Sequence, residues 1–221
     1  METVLTKNLF DLTHSVAAPL LEKCGYPWEA LPLIKEFILQ LGPSLPESEF
    51  EKRGENVWVS RSAVVAPTAS ITGPCIICAG AELRHCAFVR GSAIVGEGAV
   101  VGNSVELKNV ILFDKVQTPH YNYVGDSILG FKAHMGAGSI TSNVKSDKKL
   151  VVVHTPEGDI ETGLKKFGAM LGDNVEIGCN SVLNPGAVIC RGASVYPLSS
   201  VRGVVPENCI YKRAGEVGQR V

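Results

Sequence analysis

The sequence predicts an all-β protein, a parallel β-helix of six-residue repeats preceded by a short helical segment. An apolar residue recurs at every sixth position from Val59 to Phe113, and a small or β-branched residue recurs two positions before most of these. A period of six fits neither an amphipathic helix nor an alternating strand. Three hexapeptides instead close one triangular coil of about 18 residues, and successive coils stack about 4.8 Å apart. The 23 Gly and 12 Pro, with only 6% aromatic residues, suit short strands and frequent corners.

The composition limits the classes of partner. The 221 residues are 45% hydrophobic and 19% charged, and 21 Lys+Arg against 22 Asp+Glu leave a formal charge of −1. Nucleic-acid and membrane-surface binding need a concentrated basic face, so we expect a small molecule or another subunit as partner. Seven cysteines, with no signal-peptide pattern, predict reduced thiols and a cytoplasmic location. No apolar run is long enough to span a bilayer, so a soluble protein is expected.

The helical segment is predicted over residues 1–42. Leu, Ala and Glu have helical spacing at residues 5–10, 15–23 and 28–41, with Asp11 and Ser15 as candidate caps and Gly42-Pro43 as the end. Residues 43–56 are rich in Pro, Ser and Glu and are predicted to form a linker.

The β-helix is predicted over residues 57–205, followed by a C-terminal tail over 206–221. The repeat continues at Tyr123 and again at Leu171, so there are two interruptions. The ten-residue step from Phe113 to Tyr123 predicts a loop in which about four residues leave the coil. Residues 145–168 contain two strand-like runs around a Pro-Glu-Gly-Asp turn, which predicts an inserted β-hairpin. Loops on a rigid solenoid are the places to look for function.

Two basic residues are separated by one full coil. Arg90 and Lys108 both follow an inward aliphatic residue and differ by 18 positions, so they are predicted to stack on adjacent coils. Like charges about 5 Å apart repel unless an anion lies between them, and a phosphate would suit this position. The alternative is that both side chains point apart into solvent.

Other polar residues are candidates for chemistry. His120 lies in the predicted loop, where an imidazole can act as a base near neutral pH, although a surface histidine is the simpler interpretation. Asn143 and the Lys148-Lys149 pair follow the second block and could reach the same edge. Cys75-x-x-Cys78 has the spacing of a metal pair, but Cys75 falls in the interior register and no second pair follows, so no metal site is predicted.

Three motifs carry a family resemblance: residues 102–108 (GNSVELK), 119–126 (PHYNYVGD) and 136–143 (GAGSITSN). Together they resemble the acetyltransferase domain of the bifunctional glucosamine-1-phosphate acetyltransferase / N-acetylglucosamine-1-phosphate uridylyltransferase. Residues 160–169 (IETGLKKFGA) are similar to the archaeal-type sugar-1-phosphate nucleotidylyltransferases that carry the same domain. The resemblance implies a left-handed β-helix, because the repeat pattern does not fix the hand.

The resemblance also implies roles for residues of the acceptor site. His120 would take a proton from the 2-amino group of a hexosamine 1-phosphate, and the Ala137 N–H would face the oxyanion. Tyr123 and Asn143 would orient the sugar. The phosphate would be bound by Arg90, Lys108 and Lys149, with Lys148 as the alternative to Lys149.

The same family places acetyl-CoA, the co-substrate, in a groove between neighbouring β-helices of a homotrimer. Lys212 or Arg213 would then lie near its phosphates, and the transfer needs no metal. The first 42 residues contain no Gly-rich nucleotide loop, so nucleotidyltransferase activity is not expected from this chain.

Two positions depart from the family pattern. His134 stands where the bacterial enzymes have Asn, and Val144 stands where they have Tyr. Two alternatives therefore remain open. One is an acyltransferase for another amino sugar, a nucleotide-linked amino sugar or a different amine, and the other is a non-catalytic protein that binds sugar phosphates.

Overall fold

A computed structural model describes residues 1–213 and 215–219. It is a parallel β-helix of about nine turns that fits the left-handed class, which confirms the predicted fold. The strands in the described residues, numbered in chain order, are β1 (Phe50–Gly54), β2 (Val57–Ser60), β3 (Val64–Val65), β4 (Ser70–Ile71), β5 (Cys75–Ile77), β6 (Glu82–Leu83), β7 (Phe88–Val89), β8 (Ala93–Val95), β9 (Val100–Asn103), β10 (Glu106–Leu112), β11 (Gln117–His120), β12 (Tyr123–Leu129), β13 (His134–Met135), β14 (Ile140–Thr141), β15 (Val152–Thr155), β16 (Gly158–Glu161), β17 (Ala169–Leu171), β18 (Glu176–Ile177), β19 (Val182–Leu183), β20 (Ala187–Ile189), β21 (Ser194–Val195), β22 (Ser200–Val201), β23 (Val204–Val205), β24 (Cys209–Arg213) and β25 (Glu216–Gln219).

The coils have three sides. The first side contains β2, β5, β8, the ends of β10 and β12, β17, β20 and β23. The second contains β3, β6, β9, β11, β13, β18, β21 and β24. The third contains β4, β7, the beginnings of β10 and β12, β14, β19 and β22. Because β10 and β12 each continue from the third side to the first, these two sides belong to one sheet.

The repeat shortens at the corners on either side of the predicted loop. Leu112 pairs with Val95 and with Leu129, so two successive coils have 17 residues rather than 18. Thr118, which is fully buried, pairs with Val101 on the second side, and Val124 pairs with Leu107 on the third. The prediction of a four-residue bulge is therefore wrong, because Leu112, Thr118 and Val124 follow one another at ordinary six-residue steps. The missing residue of each coil is at the corner between the third and first sides, within 107–112 and again within 124–129.

The N-terminal segment is helical, but its helices are shorter than predicted. The α-helices are α1 (Thr6–Leu9), α2 (Ala18–Leu21) and α3 (Ile34–Leu41), and 3-10 helices cover Glu2–Val4, Leu12–His14, Pro27–Leu33 and Gly42–Ser44. The predicted helix over 28–41 is divided because Pro32 lacks a backbone N–H and disfavours the α conformation of the preceding residue. Asp11 is a cap as predicted, since its side chain accepts a hydrogen bond from the Thr13 N–H.

This segment covers the first side of the β-helix. Between the two inward positions of each strand lies an outward residue, and on this side the outward residues form an aliphatic stripe that is fully buried: Ile76, Ile94, Ile111, Ile128, Met170 and Val188. The Pro27–Leu33 helix contacts β12, and α3 contacts β8 and β10. Apolar burial against the stripe thus holds the helices in place.

Three other predicted segments are present with changes. The linker contains β1, which pairs antiparallel with β2, so residues 43–56 are only partly a linker. The inserted hairpin is β15 and β16, within the predicted range. The predicted tail contains β24, which extends the second side, and the antiparallel β25. Residues 214, 220 and 221 of that tail lie outside the described residues. No helix in the described part of the chain is long and apolar enough to cross a membrane.

Candidate active site

The third side carries the predicted basic pair. Val89 pairs with Leu107, and Arg90 and Lys108 directly follow these residues, so the predicted stacking on adjacent coils is confirmed. The backbone reinforces it, because the Arg90 N–H donates to the Leu107 carbonyl over 2.8 Å. The two side chains lie at the corner between the third and first sides.

Each basic residue has an acidic partner that the sequence analysis missed. Arg90 Nη1 donates to Glu106 Oε1 over 2.6 Å, and Lys108 Nζ lies 3.4 Å from Asp126. The residue stacked on Lys108 is Gly125, and Asp126 directly follows it, so only the 17-residue coil brings this carboxylate to Lys108. The cluster is balanced in charge, and the ion pairs reduce the repulsion between the two cations.

Asp126 joins the basic corner to the predicted sugar-orienting residues. Its carboxylate accepts hydrogen bonds from Asn109 Nδ2 over 2.9 Å and from Asn143 Nδ2 over 2.5 Å. Asn143 Nδ2 also donates to the Tyr123 hydroxyl over 3.2 Å. Burial, and then the negative charges of Asp126 and Glu106, raise the pKa of the Tyr123 phenol. Tyr123 is therefore protonated at neutral pH and can donate a hydrogen bond.

The register change gives Tyr123 its position. The sequence analysis placed Tyr123 inward, but Val124 takes the inward position and Tyr123 lies on the outer surface of the third side, half-buried. Next to it, Gly125 leaves room for the ring, since a Cβ at Gly125 would lie 2.4 Å from Tyr123 Oη.

His120 lies at the other edge of the third side. It ends β11 and is exposed, and the coil corner from 120 to 122 separates it from Tyr123. The Gly138 N–H donates to the His120 carbonyl over 3.0 Å, which places residues 136–138 one coil further along the same corner. Among the described residues, no acceptor is found for the Ala137 N–H. An exposed imidazole and an unpaired backbone N–H thus lie on adjacent coils, about 5 Å apart along the stack.

Three predicted binding residues are not brought into this cluster. Lys149 is exposed, and its side chain makes no hydrogen bond or ion pair within the described residues. Lys212 and Arg213 lie on β24 and both pair with Glu216, at 3.8 Å and 2.6 Å. Since β13, β18 and β21 separate β24 from β11, the two residues are about 19 Å from His120 along the second side.

The two departures from the family pattern lie on opposite sides of the cluster. His134 is on the second side, where its Nδ1 is 2.8 Å from Glu176 Oε2. Val144 is 37% exposed and follows Asn143 into a polar groove of about 490 Å³ that adjoins the inserted hairpin.

Cys75 is interior, as the sequence analysis expected, and Cys78 is buried as well. Cys75 is fully buried and Cys78 is 1% exposed. Burial raises the pKa of both thiols to about 12. Metal ligation requires the thiolate, which this environment disfavours.

Similarity to known proteins shows the family of the chain. Residues 71–191 match the family model described as the GMPPB C-terminal domain. The chain belongs to this family. It is also 34% identical over 168 residues to the bifunctional protein GlmU of Methanococcus maripaludis strain C5, covering 75% of this chain and 40% of that protein. With the bifunctional protein GlmU of Methanococcus vannielii the identity is 31% over 222 residues, or 96% of this chain and 53% of that protein.

These matches confirm the predicted resemblance to the bifunctional family. The chain spans about half the length of the curated relatives it matches, from 40% to 53% for the first three. Among solved structures, a mutant of AntD, an N-acyltransferase from Bacillus cereus in complex with dTDP and coenzyme A, is 15% identical. It has a TM-score of 0.39 and the match covers 78% of this chain and 91% of that chain.

Proposed function

We propose that the protein transfers an acetyl group from acetyl-CoA to the amine of a hexosamine 1-phosphate. The observation that carries this proposal is the corner at which His120 and the unpaired Ala137 N–H lie on adjacent coils. Acyl transfer requires a base for the nucleophile and a donor for the oxyanion, and this corner offers both.

The reaction assigns one task to each group. The neutral amine nitrogen attacks the thioester carbonyl, and His120 takes the proton that the nitrogen loses as the C–N bond forms. The Ala137 N–H donates to the oxyanion of the tetrahedral intermediate. When the intermediate collapses, the C–S bond breaks, and the proton on His120 goes to the sulfur of coenzyme A.

The opposite edge supplies the phosphate contacts. Arg90 carries five N–H donors and only one is used in its bond to Glu106, so the others are available to a phosphate. The Lys108 side chain is 28% exposed beside Asp126. With about three residues of strand between the two edges, the amine and phosphate sites are roughly 10 Å apart at the backbone. We include Lys149 as a further phosphate contact, which requires the loop over 145–149 to approach the bound sugar.

The acetyl-CoA site is proposed to lie between subunits of a homotrimer, with Lys212 or Arg213 near its phosphates. Exposed apolar side chains at the His120 corner support an interface there: Tyr121 is 65% exposed, Tyr196 47% and Leu198 80%. The free cysteines support a cytoplasmic location.

A second candidate acceptor is a nucleotide-linked amino sugar. The groove beyond Asn143 supports it, because Lys145, Asn184 and Arg202 are among its lining residues. Arg202 is exposed and makes no ion pair with any described residue. A diphosphate extending from the sugar would have cationic partners there.

The test is a thiol-release assay with acetyl-CoA over amino sugars, their 1-phosphates and nucleotide-linked forms. We expect the 1-phosphates to give the highest kcat/KM. The variant Arg90→Ala should lower the affinity for a hexosamine 1-phosphate about ten- to a hundredfold more than that for the free sugar. Arg84→Ala is the matched control, because Arg84 forms a similar exposed pair with Glu82 on the second side.

Two results would contradict the proposal. If no amine releases CoA while a sugar phosphate still raises the melting temperature, the protein is a non-catalytic binding protein. If Arg90→Ala affects the phosphorylated and free sugars equally, Arg90 does not hold the phosphate. Light scattering tests the trimer, and a mass equal to one chain at micromolar concentration would rule out a shared site.

A further inference from the structure

The Asp126 carboxylate is a buried acceptor with a complete set of donors. Its side chain is 5% exposed, and its two oxygens accept from Asn109 and Asn143 and lie 3.4 Å from Lys108 Nζ. A buried carboxylate is costly unless it is paired and hydrogen-bonded, and this one satisfies both conditions.

These contacts fix the orientation of the Asn143 side chain. An ionised carboxylate only accepts hydrogen bonds, so the Asn143 group facing Asp126 must be the NH₂ and not the carbonyl. The second proton of that NH₂ goes to the Tyr123 hydroxyl oxygen. Both Asn143 donors are therefore engaged. Its Oδ1, for which the described residues provide no donor, is the atom left for a ligand.

The same reasoning fixes the Tyr123 hydroxyl. Its oxygen accepts from Asn143, and its own proton has no acceptor among the described residues. The half-buried surface above Asp126 thus presents one acceptor, Asn143 Oδ1, and one donor, the Tyr123 O–H. Asp126 fixes the orientation of Asn143, and Asn143 fixes that of the Tyr123 hydroxyl. The carboxylate therefore determines which atom of this surface accepts a hydrogen bond and which donates one.

The network also reaches the N-terminal helical segment. Asn109 Nδ2 donates to the Leu31 carbonyl over 3.2 Å as well as to Asp126 Oδ1. From the other side, the Asn143 carbonyl accepts from the Phe167 N–H over 3.0 Å, and the Phe167 ring lies 5.6 Å from that of Trp28. The helices that cover the first side therefore hold the back of the Asp126 network.

We propose that Asp126 is a positioning residue that sets the hydrogen-bond polarity of the acceptor site. The site then selects a ligand that presents an N–H or O–H to Asn143 and a phosphate or ether oxygen to Tyr123. This deepens the proposed function and rests on it for the substrate class, since a hexosamine 1-phosphate carries both kinds of group.

A purely conformational role is the simpler account of Asp126. Its φ is 48°, in the left-handed region that Asp and Asn tolerate better than other residues with a side chain. Asp126→Asn keeps this tolerance and the side-chain shape, so it changes only the charge and the hydrogen-bond polarity, because one acceptor oxygen becomes an NH₂ donor.

Asp126→Asn distinguishes an electrostatic effect of the carboxylate on the phosphate from a positioning role, because the two predict opposite changes in affinity. If Asp126 acted only as a negative charge near a phosphate, neutralising it would tighten the binding of a hexosamine 1-phosphate. If it positions Asn143 and Tyr123, we expect the affinity measured by calorimetry to fall about ten- to a hundredfold. Unchanged or tighter binding overturns the proposal.

The matched control is Asp173→Asn. The Asp173 side chain is 7% exposed, pairs with Arg191 at 3.2 Å, and accepts from the Asp11 N–H of the helical segment, but it lies at a different corner. This variant should lose stability without a change in affinity. An equal loss of affinity in both variants would mean that general destabilisation, and not polarity, is the cause.

Two further measurements separate this proposal from the proposed function. In the ligand-free protein, the Asn143 side-chain NH₂ protons should exchange slowly with solvent in ¹⁵N-resolved NMR spectra, and at least tenfold faster in Asp126→Asn but not in Asp173→Asn. Fast exchange in the wild type refutes the proposal even if acetyl transfer is found. The double variant Asp126→Asn with Asn143→Asp restores one donor–acceptor pair with inverted polarity. We expect its melting temperature to recover relative to Asp126→Asn and its affinity to stay low, whereas recovery of affinity would refute the polarity argument.

Discussion

Replacing Gly125 with alanine tests whether the position of the Tyr123 hydroxyl controls the site. The new Cβ would lie 2.4 Å from Tyr123 Oη and 2.7 Å from its Cζ, whereas ordinary contacts begin at 3.4 Å. The ring must therefore move by about 1 Å. The movement disturbs the bond of 3.2 Å from Asn143 Nδ2 to the hydroxyl.

Gly125→Ala is expected to lower the activity much more than the stability. A displacement of about 1 Å in a positioning group costs about a hundredfold in rate, so kcat/KM for a hexosamine 1-phosphate should fall by that factor. The clash involves the outer end of a side chain on the surface and not the backbone. Stability should change only by about the 1 kcal/mol of one hydrogen bond, or roughly 2–4 °C in melting temperature.

The measurements are steady-state thiol release and thermal unfolding of Gly125→Ala beside Gly54→Ala. At Gly54 the nearest atom to an added Cβ is 3.7 Å away, so this control introduces no clash. The combination of Gly125→Ala with Tyr123→Ala should be no worse than Tyr123→Ala alone. Wild-type kcat/KM in Gly125→Ala would refute the role of the hydroxyl, and unfolding would show that the glycine serves the coil instead.

Three other results are expected. His120→Ala should change the free energy of unfolding by less than about 0.5 kcal/mol, because the residue is exposed. The same variant should lower the rate of acetyl transfer about a hundred- to ten-thousandfold, and full activity would remove His120 from the mechanism. Trp28→Ala should lower the free energy of unfolding, measured in urea, by about 3–5 kcal/mol, because Trp28 is 2% exposed. A decrease below about 1 kcal/mol would contradict the packing of the helical segment against the β-helix. In native protein at pH 8, a thiol reagent should label the exposed Cys86 and Cys179 first. Cys75, Cys78 and Cys190 should react later, because burial raises the pKa of their thiols to about 12. Equal labelling rates would show that the coil interior is open.

The repeat register could be read from the sequence because a solenoid makes local spacing and spatial stacking equivalent. Residues one coil apart are neighbours, so the stacking of Arg90 on Lys108 required only subtraction. The same equivalence fails where a coil loses one residue. The sequence pattern placed Phe113 and Tyr123 inward because both are apolar at the expected spacing, and nothing in that spacing shows that Leu112 and Val124 take the inward positions instead. Only the strand pairing of Leu112 and Thr118 decides it.

The candidate site divides in the same way. The sequence alone identified Arg90, Lys108 and His120 as candidates and stacked the first two on adjacent coils. It placed His120 in a loop outside the coil, whereas His120 ends β11. The tertiary structure decided their partners, because hydrogen bonds depend on the direction of each side chain and not on spacing. It placed Asp126 beneath Asn143 and Lys108. It also brought Leu31, 78 positions before Asn109, to the back of the network. The repeat cannot predict contacts between the helical segment and the solenoid, because the helical segment is not part of the repeat. These contacts form as the helices bury apolar surface on the first side.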